Sequence, residues 1–269
     1  MGWHLTGDPG VFRAAVEGYL AAAPARNTAL LTQLDTAGPR GWWADPADGR
    51  VAGAFLVSPP GVPLLGTMPD VAARELPGLL ADLPEGVVSG VRGETATVEA
   101  FAEADGRPFV RTRGMRLYRL GGALTPPHPA PPGRSRVAGP KDVPLAVAWM
   151  REFARDIGED PDADYTANIE GRVADARLRL WEVAGRPVAM ASVSRVVAGQ
   201  ARVSPVYTPP ADRARGYGGA VTCAVSRAAL DAGARQVLLF TDLANPTSNA
   251  LYQRLGYRPL GDHCAVEFG

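Results

Sequence analysis

The second half of the chain alternates between two hydrophobic periods, which separate strands from helices. Residues 177–183, 187–196 and 201–208 carry the patterning of three meandering strands, with glycine-containing turns between them. Residues 236–242 form a continuous apolar run, typical of a strand at the centre of a buried sheet. Together with the helical patterns, this half predicts the order β-α-α-β-β-β-α-β-α-β. A helix joins the fourth and fifth strands, so we expect that pair to be parallel.

Local signals indicate where the helices of this half begin and end. Asp142 is a candidate N-cap, and Asn245 is placed to cap the last helix with Pro246 at its first position. Three glycines are expected to follow helix ends, namely Gly158, Gly233 and Gly256. A helix from Gly216 to Ala232 is expected to turn three apolar side chains inward, namely those of Val221, Val225 and Ala228.

A proline-rich stretch divides the chain. Residues 121–134 contain five prolines, which disfavour both helix and central strand, so the stretch reads as a semi-rigid linker. It separates residues 1–120 from residues 135–269, and each part has the size of a domain. The first part predicts the order α-α-β-β-α-β-α-β, close to that of the second. Duplication is therefore plausible, although no direct residue-level repeat is visible.

Composition narrows the function classes. The 269 residues are 46% hydrophobic and 21% charged, with a formal net charge of +0 and a pI of about 6.8. This balance argues against nucleic acid or an anionic membrane as the main partner. Two cysteines without clustered histidines predict neither a disulfide framework nor a zinc site. The chain shows no signal peptide and no membrane-length apolar run, so we expect a cytoplasmic protein.

A glycine-rich turn with two arginines precedes one of the helices. Arg213, Arg215, Gly216, Gly218 and Gly219 follow directly after a strand. Such a turn presents unpaired backbone N–H groups and the positive end of a helix dipole, which suits a phosphate. Neither a GxGxxG dinucleotide fingerprint nor a G-K-[ST] P-loop occurs, so the expected phosphates belong to another cofactor.

Two further features support a ligand site beside this turn. Pro205 lies within the preceding strand and predicts a bulge or an unpaired edge, where two parallel strands part and leave a slot of free backbone groups. Asn245, Asn249 and Tyr252 share one face of the later helix. That face lies at the carboxyl edge of parallel strands, where open α/β sheets bind ligands.

At this point the chain resembles the GNAT superfamily of acyl-CoA-dependent N-acetyltransferases. The matching residues are VSPVYTPPADRARGYGGAV, with an R-x-x-G-x-G pattern from Arg213 to Gly218, and FTDLANPTSNALYQRLGYRP. The resemblance covers residues from about 135 to 269. It implies an α/β (α+β) GNAT fold, a mixed sheet flanked by helices, with two tandem GNAT-like domains of which the first is degenerate.

The resemblance implies acetyl-CoA as cofactor, no metal, and a specific set of site residues. Tyr252 is the implied general acid, and the backbone of residues 206–208 holds pantetheine while residues 213–218 cradle pyrophosphate. The full cofactor-binding set is Val206, Tyr207, Thr208, Arg213, Ala214, Arg215, Gly216, Tyr217, Gly218, Gly219, Asn245, Ser248, Asn249 and Tyr252.

The implied chemistry fits these residue types. An amine attacks the thioester directly, the developing negative oxygen needs an N–H such as that of Val206, and a tyrosine can protonate the leaving sulfur. Many relatives use a glutamate on the fourth strand as base, and this strand has none. Four carboxylates are alternatives, none of them assigned: Asp242, Glu182, Glu152 and Asp156. Cys223, and Cys264 beside His263, are expected to serve packing rather than nucleophilic catalysis.

The first domain lacks the means to hold pyrophosphate, because its equivalent loop has one glycine and no arginine before Arg74. Tandem arrangements occur among glycine N-acyltransferase-like proteins and actinobacterial predicted acetyltransferases. The segments GVRGETATVEAFAEADG and FVRTRGMRLYRL of the first domain look similar to the latter group, and this domain is expected to shape the acceptor cleft. Four aromatic residues are candidates to line that cleft or, more simply, to form core: Trp42, Trp43, Phe55 and Tyr118.

The expected activity is N-acetylation of a small-molecule primary amine by a monomer or homodimer, with no nucleic acid or membrane partner. Protein or peptide N-terminal acetylation is one alternative. The other is a non-catalytic acyl-CoA-binding regulator, for which the missing glutamate is the best argument.

Overall fold

The computed structural model describes residues 2–36, 38–58, 62–82 and 88–269. The described residues form twenty main helices and strands in two runs of ten. The first run is β1 (Trp3–Thr6), α1 (Pro9–Ala22), α2 (Thr28–Leu31), β2 (Arg40–Ala44), β3 (Val51–Ser58), β4 (Val62–Leu65), α3 (Asp70–Leu80), β5 (Gly90–Glu94), α4 (Thr95–Asp105) and β6 (Phe109–Leu120). The second is β7 (Arg134–Val137), α5 (Val143–Asp156), α6 (Thr166–Ala174), β8 (Leu178–Val183), β9 (Arg186–Val193), β10 (Gln200–Tyr207), α7 (Tyr217–Asp231), β11 (Gln236–Asp242), α8 (Pro246–Arg254) and β12 (Tyr257–Phe268).

Both runs have the order β-α-α-β-β-β-α-β-α-β. The order predicted for the second half is confirmed, whereas that predicted for the first half was wrong in omitting β1 and β4. Each missed strand has only four residues, and β4 contains Pro63, so neither carries the alternation that identifies a strand. The third strand of the predicted order, which the sequence places at residues 87–91, matches β5; Val87 lies outside the described residues.

The chain divides into two compact units that are not continuous in sequence. The first comprises residues 1–117, 241–245 and 259–269, and the second comprises residues 118–240 and 246–258. The prediction of a linker at 121–134 between domains 1–120 and 135–269 stays a prediction.

In the first unit the strand order is β1-β2-β3-β4-β5-β12. Neighbouring strands are antiparallel except β4 and β5, which are parallel. Strand β12 pairs with β5 from His263↔Glu94 to Glu267↔Gly90, so the end of the chain completes the sheet of this unit. The core includes Trp43, Phe55, Leu76 and Phe101, all buried.

The aromatic residues suggested as cleft lining are mainly core. Trp43 and Phe55 are buried in the first unit, and Tyr118 is buried in the core of the second. Trp42 is half-buried and stacks on His4 with 5.2 Å between ring centroids. The structure therefore contradicts a cleft-lining role for Trp43, Phe55 and Tyr118, because their side chains are enclosed by other apolar groups.

In the second unit the order β7-β8-β9-β10-β11 is antiparallel except for β10 and β11, which are parallel as predicted. Helices cover both faces of this sheet. Ala191 and Val193 of β9 pack in the cluster that contains α7 and α8, whereas Met190 packs with α5 and α6. Strand β9 is therefore buried along most of its length.

The helix ends largely follow the local signals. Gly158, Gly233 and Gly256 have positive φ values of 69°, 90° and 99° just beyond helices, as predicted. Two details were wrong. Asp142 precedes α5 without capping it, because its carboxylate accepts from the Gly139 N–H and pairs with Arg136. Ala229 rather than Ala228 joins Val221 and Val225 in the core.

Candidate functional site

Strand β10 contains the predicted bulge. Its antiparallel register with β9 shifts between Val203 and Val206, which confirms the irregularity expected at Pro205. The extra residue changes which face of the sheet the following side chains point to. Val203 and Val206 therefore both pack with the α7 cluster, and Tyr207 packs with α5. The described parallel pairs between β10 and β11 run only from Gln200↔Gln236 to Val203↔Leu239. Beyond Val203, therefore, β10 continues along β9 while its described pairing with β11 has ended.

The loop from Thr208 to α7 and the first turn of α7 contain a series of backbone N–H groups without a described protein acceptor. Ala214 and Gly216 have positive φ values of 61° and 80°, and Gly216 is the N-cap residue of α7. The first helical hydrogen bond here runs from the Ala220 N–H to the Gly216 carbonyl, at 3.0 Å. Within the described ranges, the N–H groups of residues 214–219 donate to no protein atom. This is the arrangement that binds an anion at a helix N-terminus.

The two arginines of the loop have different environments. Arg213 donates from Nε to the Thr208 carbonyl at 2.9 Å and from Nη2 to Asp156 at 2.5 Å. Its guanidinium thus folds back onto its own loop. The Arg215 side chain is 58% exposed and lies 4.0 Å from Asp212, beyond hydrogen-bond distance. Arg215 is consequently the arginine available to an incoming anion.

Asp212 anchors the start of this loop. Arg186 of β9 donates to its two carboxylate oxygens, both at 2.8 Å, in a bidentate pair. The pKa of Asp212 lies below its usual range, chiefly because of these hydrogen bonds from Arg186. The pair fixes the single 3₁₀ turn at Pro210–Asp212 from which the N–H groups of the loop follow.

The glycines of the loop serve separate purposes. A Cβ on Gly218 would lie 3.3 Å from Thr208 Oγ1, so this glycine keeps the helix entrance close to the end of β10. A Cβ on Gly219 would lie 2.9 Å from Leu251 Cδ1, so that glycine permits α7 to pack against α8. Gly216 supplies the left-handed conformation at the N-cap.

Tyr207 uses its side chain for structure. The ring is buried, and its hydroxyl donates to Glu152 of α5 at 2.6 Å. Burial, together with this carboxylate, raises the pKa of Tyr207 to about 12. Only the backbone of Tyr207 therefore remains for a ligand.

Helix α8 carries Tyr252 into the same apolar cluster as Val206 and Tyr217. Tyr252 is buried. Its ring contacts that of Tyr257 edge-on, with 6.2 Å between the two ring centroids. Burial raises its pKa to about 12, so the phenol stays protonated at neutral pH. Its hydroxyl makes no hydrogen bond to another residue in the described part of the chain.

The polar residues of α8 are placed less uniformly than their spacing suggests. The Asn249 Oδ1 accepts from the Tyr118 hydroxyl at 2.9 Å, and Gln253 donates to that same hydroxyl at 3.1 Å. Ser248 is half-buried in the first turn, and Asn245 is exposed directly before Pro246. The partner Tyr118 was not anticipated, because a contact across 131 positions leaves no local signal.

The four candidate bases all have partners. Glu152 accepts from Tyr207, and Asp156 pairs with Arg213. Glu182 pairs with Arg136, and Asp242 accepts from the Ala244 N–H at 2.7 Å. Each carboxylate thus serves a structural contact. Cys223 is half-buried and Cys264 is buried; burial raises the pKa of both thiols, which does not favour a nucleophile.

One contact at the bulge was missed by sequence reasoning. Arg172 of α6 donates to the Ser204 carbonyl and to Ser192 Oγ, and Ser192 also donates to the Ser204 carbonyl at 2.7 Å. Two donors therefore hold the carbonyl that precedes the cis Ser204–Pro205 bond. No motif marks Arg172, and its only local feature is a position within a short helix.

No group of three or more metal-ligating side chains occurs among the residues with a described placement. None of the helices in that portion of the chain is both long and apolar enough to cross a bilayer.

Comparison with solved structures shows the fold. A GNAT-family acetyltransferase from Colwellia psychrerythraea superimposes with a TM-score of 0.64 at 14% identity, over 100% of this chain and 99% of the other. A GCN5-related N-acetyltransferase from Sphaerobacter thermophilus gives 0.69 at 17% identity, over 98% and 94%. One from Kribbella flavida gives 0.64 at 18%, over 93% and 95%.

The chain thus has the fold of the GNAT superfamily, a mixed sheet flanked by helices. Residues 188–266 also match the model of a family described as FR47-like protein, and this segment contains the bulge, the loop, α7 and α8. The solved structures show the fold, and the family model shows similarity over residues 188–266. No curated protein sequence matches it.

Proposed function

We propose that this protein transfers an acetyl group from acetyl-CoA to the primary amine of a small molecule. The observation that carries the proposal is the set of N–H groups at residues 214–219, which have no described protein acceptor and lie at the entrance and in the first turn of a 15-residue helix. Their number and the neighbouring Arg215 suit a diphosphate. The fit is supported by Gly216 and Gly218, which leave no side chain between backbone and anion.

The residues around the bulge have complementary roles in this proposal. The backbone of residues 206–208, where β10 has left β11, would hold the pantetheine arm. When bound, acetyl-CoA supplies the thioester carbon that the amine attacks. The Val206 N–H would stabilise the negative charge on the carbonyl oxygen, and Tyr252 would donate a proton to the departing sulfur.

A dedicated base is not part of the proposal. The four candidate carboxylates are engaged with Tyr207, Arg213, Arg136 and the Ala244 N–H. Deprotonation by water, or an acceptor amine of low pKa, makes a protein base unnecessary.

The first unit is proposed to be a degenerate copy. After β4, Tyr19 donates to the Thr67 carbonyl at 2.6 Å, and Thr67 Oγ1 donates to Glu94 at 2.8 Å. In the order of elements, Thr67 follows β4 as Thr208 follows β10 in the second unit. Arg74 is paired with Asp70 and Glu103, so its charge is not available there.

We therefore expect the chain of 269 residues to bind one acetyl-CoA. Isothermal titration should give a stoichiometry near one per chain, because the proposed anion-binding loop belongs to the second unit and the described residues of the first unit have no counterpart of it. A stoichiometry of two would contradict the degeneracy of the first unit.

Replacing Arg215 with glutamate should raise the dissociation constant for acetyl-CoA about tenfold and leave thermal stability unchanged. The side chain is 58% exposed and contributes through charge rather than packing. The matched control is Arg227→Glu, an exposed residue further along α7, which should bind normally. Equal affinity for Arg215→Glu and Arg227→Glu would remove Arg215 from the site.

A second candidate is a non-catalytic acyl-CoA-binding regulator, favoured by the engagement of every candidate carboxylate. Thiol release with a panel of amines separates the two, and a metabolite extract with labelled acetyl-CoA would identify the acceptor. N-terminal acetylation of a peptide is tested in the same assay. The cytoplasmic location and the monomeric or homodimeric state remain expectations from the sequence.

A further inference from the structure

Arg172 lies at the bulge of β10 and has one guanidinium nitrogen that donates to no described residue. Its Nε donates to Asn168 Oδ1 at 2.7 Å, and its Nη1 donates to Ser192 Oγ and the Ser204 carbonyl. Its Nη2 makes no hydrogen bond to any residue of described placement. This atom is also not fully buried, so a ligand can reach it. A guanidinium held by two of its three nitrogens thus leaves the third for a ligand.

The charge of Arg172 has no carboxylate partner in the described part of the chain. All three of its acceptors are neutral. Burial, and after it the positive charges of Arg177 and Arg202, lower the pKa of Arg172 to about 10. Arg172 remains charged at neutral pH, in surroundings that disfavour an uncompensated cation.

The surrounding charges are predominantly positive. Arg177 and Arg195 share one carboxylate, that of Asp175, at 3.0 and 2.8 Å. With Arg172, these residues are three cations around one described carboxylate. A carboxylate brought to Arg172 would therefore meet attraction from the whole group.

The position of Arg172 connects this charge to the proposed reaction. Ser204, whose carbonyl it holds, is exposed although it lies within a strand, because the bulge opens the chain there. Val206, the proposed stabiliser of the carbonyl oxygen, is two residues further on. An acceptor that reaches the bulge comes within range of the guanidinium.

We propose that Arg172 binds a carboxylate of the acceptor, so that the substrates are amines that also carry a carboxylate, such as amino acids. This inference rests on the proposed acetyl transfer for the identity of the bound molecule. Arg172 is a specificity residue in this assignment: it holds the acceptor, and it takes no proton.

The test compares L-amino acids with the corresponding amino acid amides, since the members of each pair differ mainly in the negative charge. Binding to the full chain in the presence of coenzyme A is followed by saturation-transfer NMR, and acetyl transfer by thiol release. For at least one pair we expect the acid to be preferred about 10- to 100-fold, the range of a charge-assisted hydrogen bond. Arg172→Gln should reduce that preference below about threefold while transfer to the amide continues.

Two further variants separate specificity from structure. Arg172→Lys retains the charge and should keep part of the preference. Arg195→Gln removes a cation from the same group at a 73% exposed side chain, where solvent screens the charge, and should keep most of the preference. Equal losses for acid and amide in Arg172→Gln would show that the residue only supports the bulge, and would overturn the proposal.

The outcomes distinguish this proposal from the proposed function. Acid-selective binding without thiol release would support the carboxylate site and count against acetyl transfer. Thiol release with no acid preference in any pair would support acetyl transfer and overturn the carboxylate site.

Discussion

Replacing Tyr252 with phenylalanine is expected to lower kcat for acetyl transfer about a hundredfold, the lower end of the contribution of a general acid. The dissociation constant for acetyl-CoA should change less than about threefold, because phenylalanine retains the buried ring and its edge contact with Tyr257. The loss of kcat is expected because Tyr252 belongs to the apolar cluster that also contains Val206, beside the proposed position of the thioester. Without the hydroxyl, the departing sulfur leaves as an unprotonated thiolate.

The raised pKa of Tyr252 adds a pH dependence. Burial raises the pKa to about 12, so the proton is present throughout the neutral range and is lost only as the pH approaches that value. We therefore expect no loss of kcat from ionisation of Tyr252 between about pH 6 and 9. Steady-state kinetics over this range, with a saturating amine, measure the effect.

The matched control for this variant is Tyr257→Phe. The Tyr257 hydroxyl is buried and lies 2.7 Å from Ser226 Oγ, so its removal should cost about 1 kcal/mol of stability. It should leave kcat close to the wild-type value, since Tyr257 has no part in the proposed chemistry. A Tyr252→Phe enzyme with wild-type kcat would refute the general acid.

Replacing Gly218 with aspartate is expected to raise the dissociation constant for acetyl-CoA at least about a hundredfold. The new carboxylate would lie at the helix entrance, where the diphosphate is proposed to bind. Two like charges 4 Å apart repel by about 4 kcal/mol at an effective dielectric constant of 20, enough for this loss. The N–H groups of the loop would meanwhile find a competing acceptor within the protein.

The same substitution should not lower the stability of the free protein. An acidic residue in the first turn of a helix is favourable, and removing a glycine from a helix contributes up to about 1 kcal/mol. The melting temperature is therefore expected to hold or rise while affinity falls. Lower affinity at an unchanged or higher melting temperature distinguishes loss of the anion site from a destabilised fold.

Gly218→Ala is the control for size. It adds the same Cβ, 3.3 Å from Thr208 Oγ1, without the charge, so Thr208 must shift by a few tenths of an ångström. We expect a modest loss of affinity, well below that of Gly218→Asp, in isothermal titration. Equal affinities for Gly218→Asp and the wild type would place the diphosphate elsewhere.

Much of the second unit could be predicted because its signals are local. The bulge follows from Pro205, which cannot donate to a ladder, and the helix ends follow from glycines that adopt positive φ. The parallel pairing of β10 and β11 follows from the helix between them. The first half was predicted less completely, since β1 and β4 are too short to show a period.

The candidate site was predicted as a set of positions rather than as contacts. The sequence pattern treats Arg213 and Arg215 alike, yet Arg213 binds Asp156, 57 positions away, and only Arg215 stays available. The role of Asn249 at the cofactor stays a prediction, and its contact with Tyr118, whose hydroxyl donates to the Asn249 oxygen, is visible only in the structure. Such pairings depend on which elements pack together, so no window of sequence contains them.

The sequence by itself determined the order of the elements in the second half, the proline bulge and the glycine-rich helix entrance. Each of these depends on the conformational limits of one or a few adjacent residues. Only the tertiary structure decided that β12 pairs with β5, that Arg172 reaches the Ser204 carbonyl, and that the candidate carboxylates are engaged. Those are contacts between distant segments, and they depend on burial and hydrogen-bond geometry that exist only in the folded chain.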